Sequence, residues 1–129
     1  MGTLVLLDSS ALLALRDDEA GAERVEALLG GPQRCLACFM TRMEVLYRVW
    51  KDEGEQAGRL AYEQLCSLPL GWIESSEPLL SEAARIKATH ALSVVDAWIA
   101  AAALTQGAVL VHKDPEFKAI QRLDQEWLG

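Results

Sequence analysis

Apolar and polar positions fall into two rhythms along this chain. Leu4–Val5–Leu6–Leu7 is a continuous apolar run that meets Asp8–Ser9–Ser10. A run of that length, bounded by polar residues, is the pattern of a short strand buried on both faces of a parallel sheet. The strong helix formers of 11–16 follow, so Ser9 or Ser10 is the expected N-cap of a first helix. After the polar break at 17–21, Val25, Leu28 and Leu29 recur at helical spacing until Gly30–Gly31–Pro32 stops them. Cys35–Phe39 predicts a second buried strand. Met43, Leu46, Tyr47 and Trp50 predict a helix starting near Thr41, and Gly54 separates it from another that runs to Pro69.

The same alternation continues to the end. Leu70–Glu74 predicts a third strand, and Ser75–Ser76–Glu77–Pro78 is a helix-start signal. A stripe of Leu79, Ala83 and Ile86 follows. Ser93 opens a helix over 94–105 that is apolar on every side and is therefore expected to be buried. Gly107 ends it, Ala108–His112 reads as a further buried strand, and residues 126–128 as an edge strand. Strands alternating with helices predict an α/β fold around a mainly parallel sheet of four to five strands. No repeat or long linker divides the chain, so residues 1–129 are expected to form one domain.

Composition adds limits. With 51% apolar and 24% charged residues the sequence is that of an ordinary globular protein. No apolar run approaches the roughly 18 residues of a membrane span, and no signal-like segment opens the chain. A cytoplasmic protein with no membrane partner is expected. Cys35 and Cys38 form a lone C-x-x-C, but residues three apart on a strand point to opposite faces, so two buried thiols are expected rather than a redox or zinc pair. The net charge of −7 argues against nucleic-acid binding unless the acids gather around divalent cations that cancel them locally.

Four acids bear on that condition: Asp8, Glu44, Asp96 and Asp114, with Glu116 nearby. Each has a plain helix-capping explanation. Thr41-x-x-Glu44 and Ser93-x-x-Asp96 have the shape of capping boxes, and Asp114–Pro115–Glu116 that of an N-cap followed by a first turn. Together they read differently. Asp8 and Asp114 end buried strands, while Glu44 and Asp96 lie early in helices, and in a parallel sheet those ends share one edge. A carboxylate at the start of the apolar helix is costly unless paired, yet no Lys or Arg lies within a turn of Asp96. Hard divalent cations, Mg2+ or Mn2+, satisfy such a cluster best and support phosphoryl chemistry.

The ordered set Leu6–Leu7–Asp8–Ser9–Ser10–Ala11–Leu12, Glu44, Leu92–Ser93–Val94–Val95–Asp96–Ala97 and Val111–His112–Lys113–Asp114–Pro115–Glu116–Phe117 resembles the PIN domain. The likeness is greatest to the VapC-type toxins of toxin–antitoxin pairs, and it spans nearly the whole chain. It implies a three-layer α/β/α sandwich and a metal-dependent endoribonuclease. By that resemblance Asp8, Glu44, Asp96 and Asp114 are the acidic site residues, with Asp8, Asp96 and Asp114 on the metal. Glu116 and Ser10 play supporting roles. An RNA substrate, a blocking antitoxin and a homodimer are the implied partners. Two departures stand out: His112 occupies a position that is often Thr, and Glu116 one that is usually Asp. The stretch 53–74 carries no family signature.

Other readings concern single features. Asp8-x-Ser10 after a strand also resembles the start of haloacid-dehalogenase-like phosphatases, with Asp8 as nucleophile, although that family has a second Asp where Ser10 stands. A non-catalytic binding module with an acidic cleft is a third alternative. His90 and His112, lacking any paired motif, read as surface or packing histidines. Among Trp50, Trp72, Trp98 and Trp127, all able to stack on bases, Trp50 and Trp98 lie on apolar helix faces and are expected in the core or a dimer interface.

Overall fold

The computed structural model describes residues 3–129. In chain order its elements are β1 (Leu4–Leu7), α1 (Ser9–Arg16), α2 (Ala22–Gly30), β2 (Arg34–Cys38), α3 (Phe39–Glu53) and α4 (Glu55–Cys66). Then come β3 (Gly71–Ile73), α5 (Glu77–Thr89), α6 (Val94–Gln106), β4 (Val109–His112), a 3-10 turn (Pro115–Ala119) and β5 (Gln125–Trp127). The five strands pair in the order β3-β2-β1-β4-β5, every pair parallel. The chain builds outward from β1 through β2 to β3, then returns to lay β4 and β5 on the other side. β1 and β4 therefore flank the point where strand order reverses, and ligands in open α/β sheets bind beyond the strand ends there.

Strand pleating sorts the apolar residues into two cores. Leu6, Leu36, Cys38 and Leu110 face α5 and α6, whereas Val5, Leu7, Cys35, Ala37 and Val111 face the layer of α1, α2 and α4. The result is the three-layer sandwich that the family resemblance implied. Cys35 and Cys38 lie in different cores, so the two thiols diverge as expected. The α6 residues Ile99 to Ala103 are all fully buried, because a helix pressed between a sheet and a neighbouring helix has no face left for polar side chains. Gly107 closes it in the left-handed conformation, φ 63°, which glycine adopts without steric cost.

Two helix starts differ from expectation. α1 is capped by Asp8, not by Ser9 or Ser10, because Asp8 Oδ1 accepts the Ala11 N–H at 2.8 Å. α3 begins at Phe39, directly after β2, so Phe39 is helical and Thr41 lies inside the first turn. The Thr41–Glu44 capping box does not form. Thr41 is buried and accepts a hydrogen bond from Ser9 Oγ at 3.2 Å, which ties α1 to α3. Trp50 is 40% exposed and lies beneath the Arg59 guanidinium rather than in the core, while half-buried Trp98 meets Phe39 edge-on.

The pairing of α3 with α4 depends on Gly58. A Cβ there would stand 2.8 Å from Trp50 Cβ and 2.9 Å from the Leu46 carbonyl oxygen. Helix propensity favours Ala over Gly by about 1 kcal/mol, but overpacking costs about 1–3 kcal/mol where backbone must move. Gly58→Ala is expected to lower stability by about 1 kcal/mol net, read from urea unfolding; a gain would show that α3 and α4 separate freely.

Candidate active site

Asp8 ends β1 and is only 2% exposed. Its two oxygens receive the Ser10 hydroxyl at 2.7 and 2.8 Å, and Oδ1 also receives the Ala11 N–H. Ser10 Oγ in turn accepts the Lys113 N–H at 2.9 Å, so one hydroxyl links the end of β1 to the segment leaving β4. Burial pushes the Asp8 carboxyl up to about 7. The bonds from Ala11 and Ser10 pull it down, and the charges of Glu44 and Asp114 push it further up.

Asp96 occupies the third position of α6. Ser93 caps this helix as expected, accepting the Asp96 N–H at 3.1 Å. Asp96 as a residue is 6% exposed, and carboxylate oxygens of Asp96, Asp114 and Glu116 lie within 4.8 Å of one another. Burial first, then hydrogen bonding and charge from Glu116 and Asp114, raises the Asp96 carboxyl to about 9. Glu44 is half-buried on α3 and acts on Asp8 through its charge. Among the described residues no ion pair involves any of these five acids; the seven ion pairs present lie elsewhere.

Asp114 follows β4 and does cap the 3-10 turn, accepting the Glu116 N–H at 3.0 Å. The cap orients Asp114 and the residue after the intervening proline, Glu116, toward Asp96. Capping and clustering are thus done by the same side chains. The tight trio contains Glu116, where the resemblance pointed to Asp8; Asp8 stands beside the trio and is linked to it by charge. An all-carboxylate donor set with no cationic partner suits a hard divalent ion.

The histidines separate. His90 closes α5, with its ring beside the Thr89 hydroxyl and the Ile86 carbonyl. His112 is not a surface residue: it is 1% exposed, both ring nitrogens are hydrogen-bonded, and Phe117 and Trp127 pack edge-on against it. Burial, the largest influence, holds its pKa below the ordinary value. Its partner Gln125 escaped the sequence reading, because nothing local marks one edge-strand glutamine as facing a histidine 13 residues earlier. Asp8 is poorly placed as a phosphatase nucleophile, buried and with both oxygens already accepting hydrogen bonds.

The sequence profile of the PIN domain matches residues 5–123. No curated protein matches the sequence. Solved structures do match in fold. VapBC2 from Rickettsia felis, bound to a DNA fragment from its promoter, has a TM-score of 0.80 at 18% identity, covering 98% of this chain and 100% of the other. A toxin–antitoxin complex from Klebsiella pneumoniae has a TM-score of 0.67 at 24% identity, covering 91% and 92%. VapC20 from Mycobacterium tuberculosis, a Sarcin-Ricin loop cleaving toxin, has a TM-score of 0.73 at 18% identity, covering 91% and 95%. At these identities the likeness is one of fold.

The raised Asp96 carboxyl has a thermodynamic consequence. An aspartate in an unstructured chain has a pKa of 3.8, and burial beside Glu116 and Asp114 pushes Asp96 up to about 9 in the fold without metal. Between those values the folded chain holds a proton that the unfolded chain has released. Stability from this group is therefore fully present at low pH and lost as pH rises. Asn has no such proton. In EDTA the melting temperature of Asp96→Asn minus that of wild type should grow by several degrees from about pH 5 to about pH 8. A difference that shrinks with rising pH would mean that Asp96 is ionised and paired in the native state.

Proposed function

This chain belongs to the PIN-domain family, and from that premise we propose that it is a divalent-metal-dependent endoribonuclease, the toxin of a type II toxin–antitoxin pair working in the cytoplasm. The observation that carries the reading is the trio Asp96, Asp114 and Glu116, within 4.8 Å of one another and with no ion-paired Lys or Arg among the described residues, at the point where strand order reverses. The likeness to VapC20, a Sarcin-Ricin loop cleaving toxin, supports it at the level of fold.

In this reading Asp96, Asp114 and Glu116, with Asp8 beside them, hold Mg2+ or Mn2+. An ion held there would supply Lewis-acid polarisation of a phosphodiester and lower the pKa of a water. The protein side of the chemistry follows from the geometry. Asp8, buried at the end of β1, adds a carboxylate beside the trio and is coupled by charge to Asp114. Ser10 keeps Asp8 aimed by donating to both of its oxygens. Glu44 adds negative charge beside Asp8 and so raises its proton affinity. Asp114 orients itself and Glu116 through the cap of the 3-10 turn. A surface of net charge −7 repels an RNA backbone unless the acids are compensated, so substrate binding and metal loading are coupled.

The partner in this reading is a small antitoxin that inserts an Arg or Lys among the acids, since a guanidinium fits two carboxylates in fork geometry. The structural likeness to a toxin–antitoxin complex supports that assignment. A second copy of the chain is assigned to the apolar groove between α5 and α6, where Leu80 and Val94 are 50% and 56% exposed beside Ala83, Ala97 and Trp98.

Purified protein freed of antitoxin should cleave RNA in Mg2+ or Mn2+ and stop in EDTA. Asp96→Asn should lower the cleavage rate about 100-fold or more, since a lost ligand affects both ion affinity and geometry. Cleavage that persists in chelator, or a folded Asp96→Asn with near-normal activity, would sink the reading. Co-expression with the adjacent open reading frame should bring down a small protein that silences the nuclease, and Leu80→Glu should shift the species seen by light scattering from dimer to monomer.

A further inference from the structure

The buried pair His112 and Gln125 lies just behind the acidic trio, and its hydrogen bonds run in one direction only. The Asp114 N–H donates to His112 Nδ1 at 3.1 Å. A backbone amide can only donate, so Nδ1 is the acceptor and the ring proton sits on Nε2. Nε2–H then donates to Gln125 Oε1 at 2.9 Å. The orientation of the Gln125 amide is set independently, because its Nε2 donates to the Phe117 carbonyl at 2.8 Å and reaches the Ile120 carbonyl at 3.3 Å. The chain of bonds begins at the Asp114 backbone, passes through β4 and β5, and returns to the end of the 3-10 turn that carries Glu116.

We propose that His112 is a positioning residue of the acidic centre: as a neutral Nε2-protonated imidazole wedged between Phe117 and Trp127, it holds the Asp114 backbone, and through Gln125 the 3-10 turn, so that Asp114 and Glu116 stand against Asp96. The proposal rests on the reading of that trio as a metal site. The loop is only five residues from Lys113 to Phe117, and its two acids, Asp114 and Glu116, repel each other. Without a fixed anchor on the Asp114 amide the turn can relieve that repulsion by swinging outward. His112 touches neither substrate nor ion; it acts through Asp114. Gln125 is the second half of the device, since it selects the tautomer that leaves Nδ1 free to accept.

Two substitutions separate this role from mere packing. His112→Phe keeps an aromatic ring against Phe117 and Trp127 but removes the acceptor. His112→Asn keeps an acceptor near the Nδ1 position but gives up the ring. Mn2+ binding by titration calorimetry, with no RNA present, should weaken by about tenfold or more in His112→Phe, as outer-shell changes at metal sites do. In His112→Asn it should stay within about threefold of wild type, even though this variant melts lower. The reverse order, or equal loss in both, overturns the proposal.

Two further readouts need no metal. The Asp114 amide should exchange slowly with solvent deuterium in metal-free wild type and His112→Asn, and rapidly in His112→Phe. In the wild type, which has only two histidines, the imidazole 15N spectrum should show His112 protonated at Nε2 alone. A proton on Nδ1 overturns the proposal without any variant having to fold. A wild type that binds no Mn2+ overturns the metal reading of the trio instead. The Asp114 amide then decides the anchor by itself: exchange sensitive to His112→Phe upholds it, and exchange indifferent to the ring refutes it.

Discussion

Burying a carboxylate with no cation beside it is among the more costly arrangements a fold can contain, and here the architecture imposes it twice. Asp8 sits where the central strand meets its helix, and Asp96 where the most apolar helix begins. Both are nearly inaccessible. Burial favours the protonated form of both and pushes their carboxyls well above the range of an ordinary aspartate. A divalent ion would meet the cost by charge compensation. The arginines that neutralise acids elsewhere, such as Arg16 with Glu53 and Arg24 with Glu126, are kept to the outer surface.

That constraint explains why the capping and cluster descriptions of the acids do not compete. Asp8 caps α1 and Asp114 caps the 3-10 turn, and in each case the cap fixes the direction of the carboxylate. Backbone N–H groups satisfy part of each acid and leave oxygen lone pairs facing the shared edge. A site assembled from caps has a practical property. Asp8 and Asp96 are placed by a strand end and a helix start, and only Asp114 and Glu116 depend on a loop and its short turn.

Behind the acids the supporting contacts come from residues distant in sequence. Ser10 reaches Lys113, Ser9 reaches Thr41, and His112 reaches Gln125. The first two join element ends at the edge where the acids gather, and the third crosses from the end of β4 to the start of β5. The sandwich is built so that α6, almost all alanine through its buried middle, lets sheet and helix approach closely. That approach brings the start of α6 up to the end of β4, and so Asp96 up to Asp114.

The sequence by itself determined the alternation of strands and helices, because the apolar periods of Leu4–Leu7, Val109–Val111 and the α6 stretch are local properties of the chain. It also marked Asp8, Glu44, Asp96 and Asp114, since acids at strand ends and helix starts are visible in one dimension. What it left open is which of them meet. Whether Glu116 or Asp8 stands closest to Asp96 depends on the angle of the 3-10 turn against α6, a matter of packing between elements. Helix starts at Asp8 and Phe39 were displaced for a similar reason: the tight exit from a buried strand begins the helix earlier than the nearest Ser or Thr would. The role of His112 was invisible for the strongest reason of all. A histidine at the end of a strand carries no local sign of its partners, and Gln125 becomes its neighbour only because β5 lies parallel beside β4.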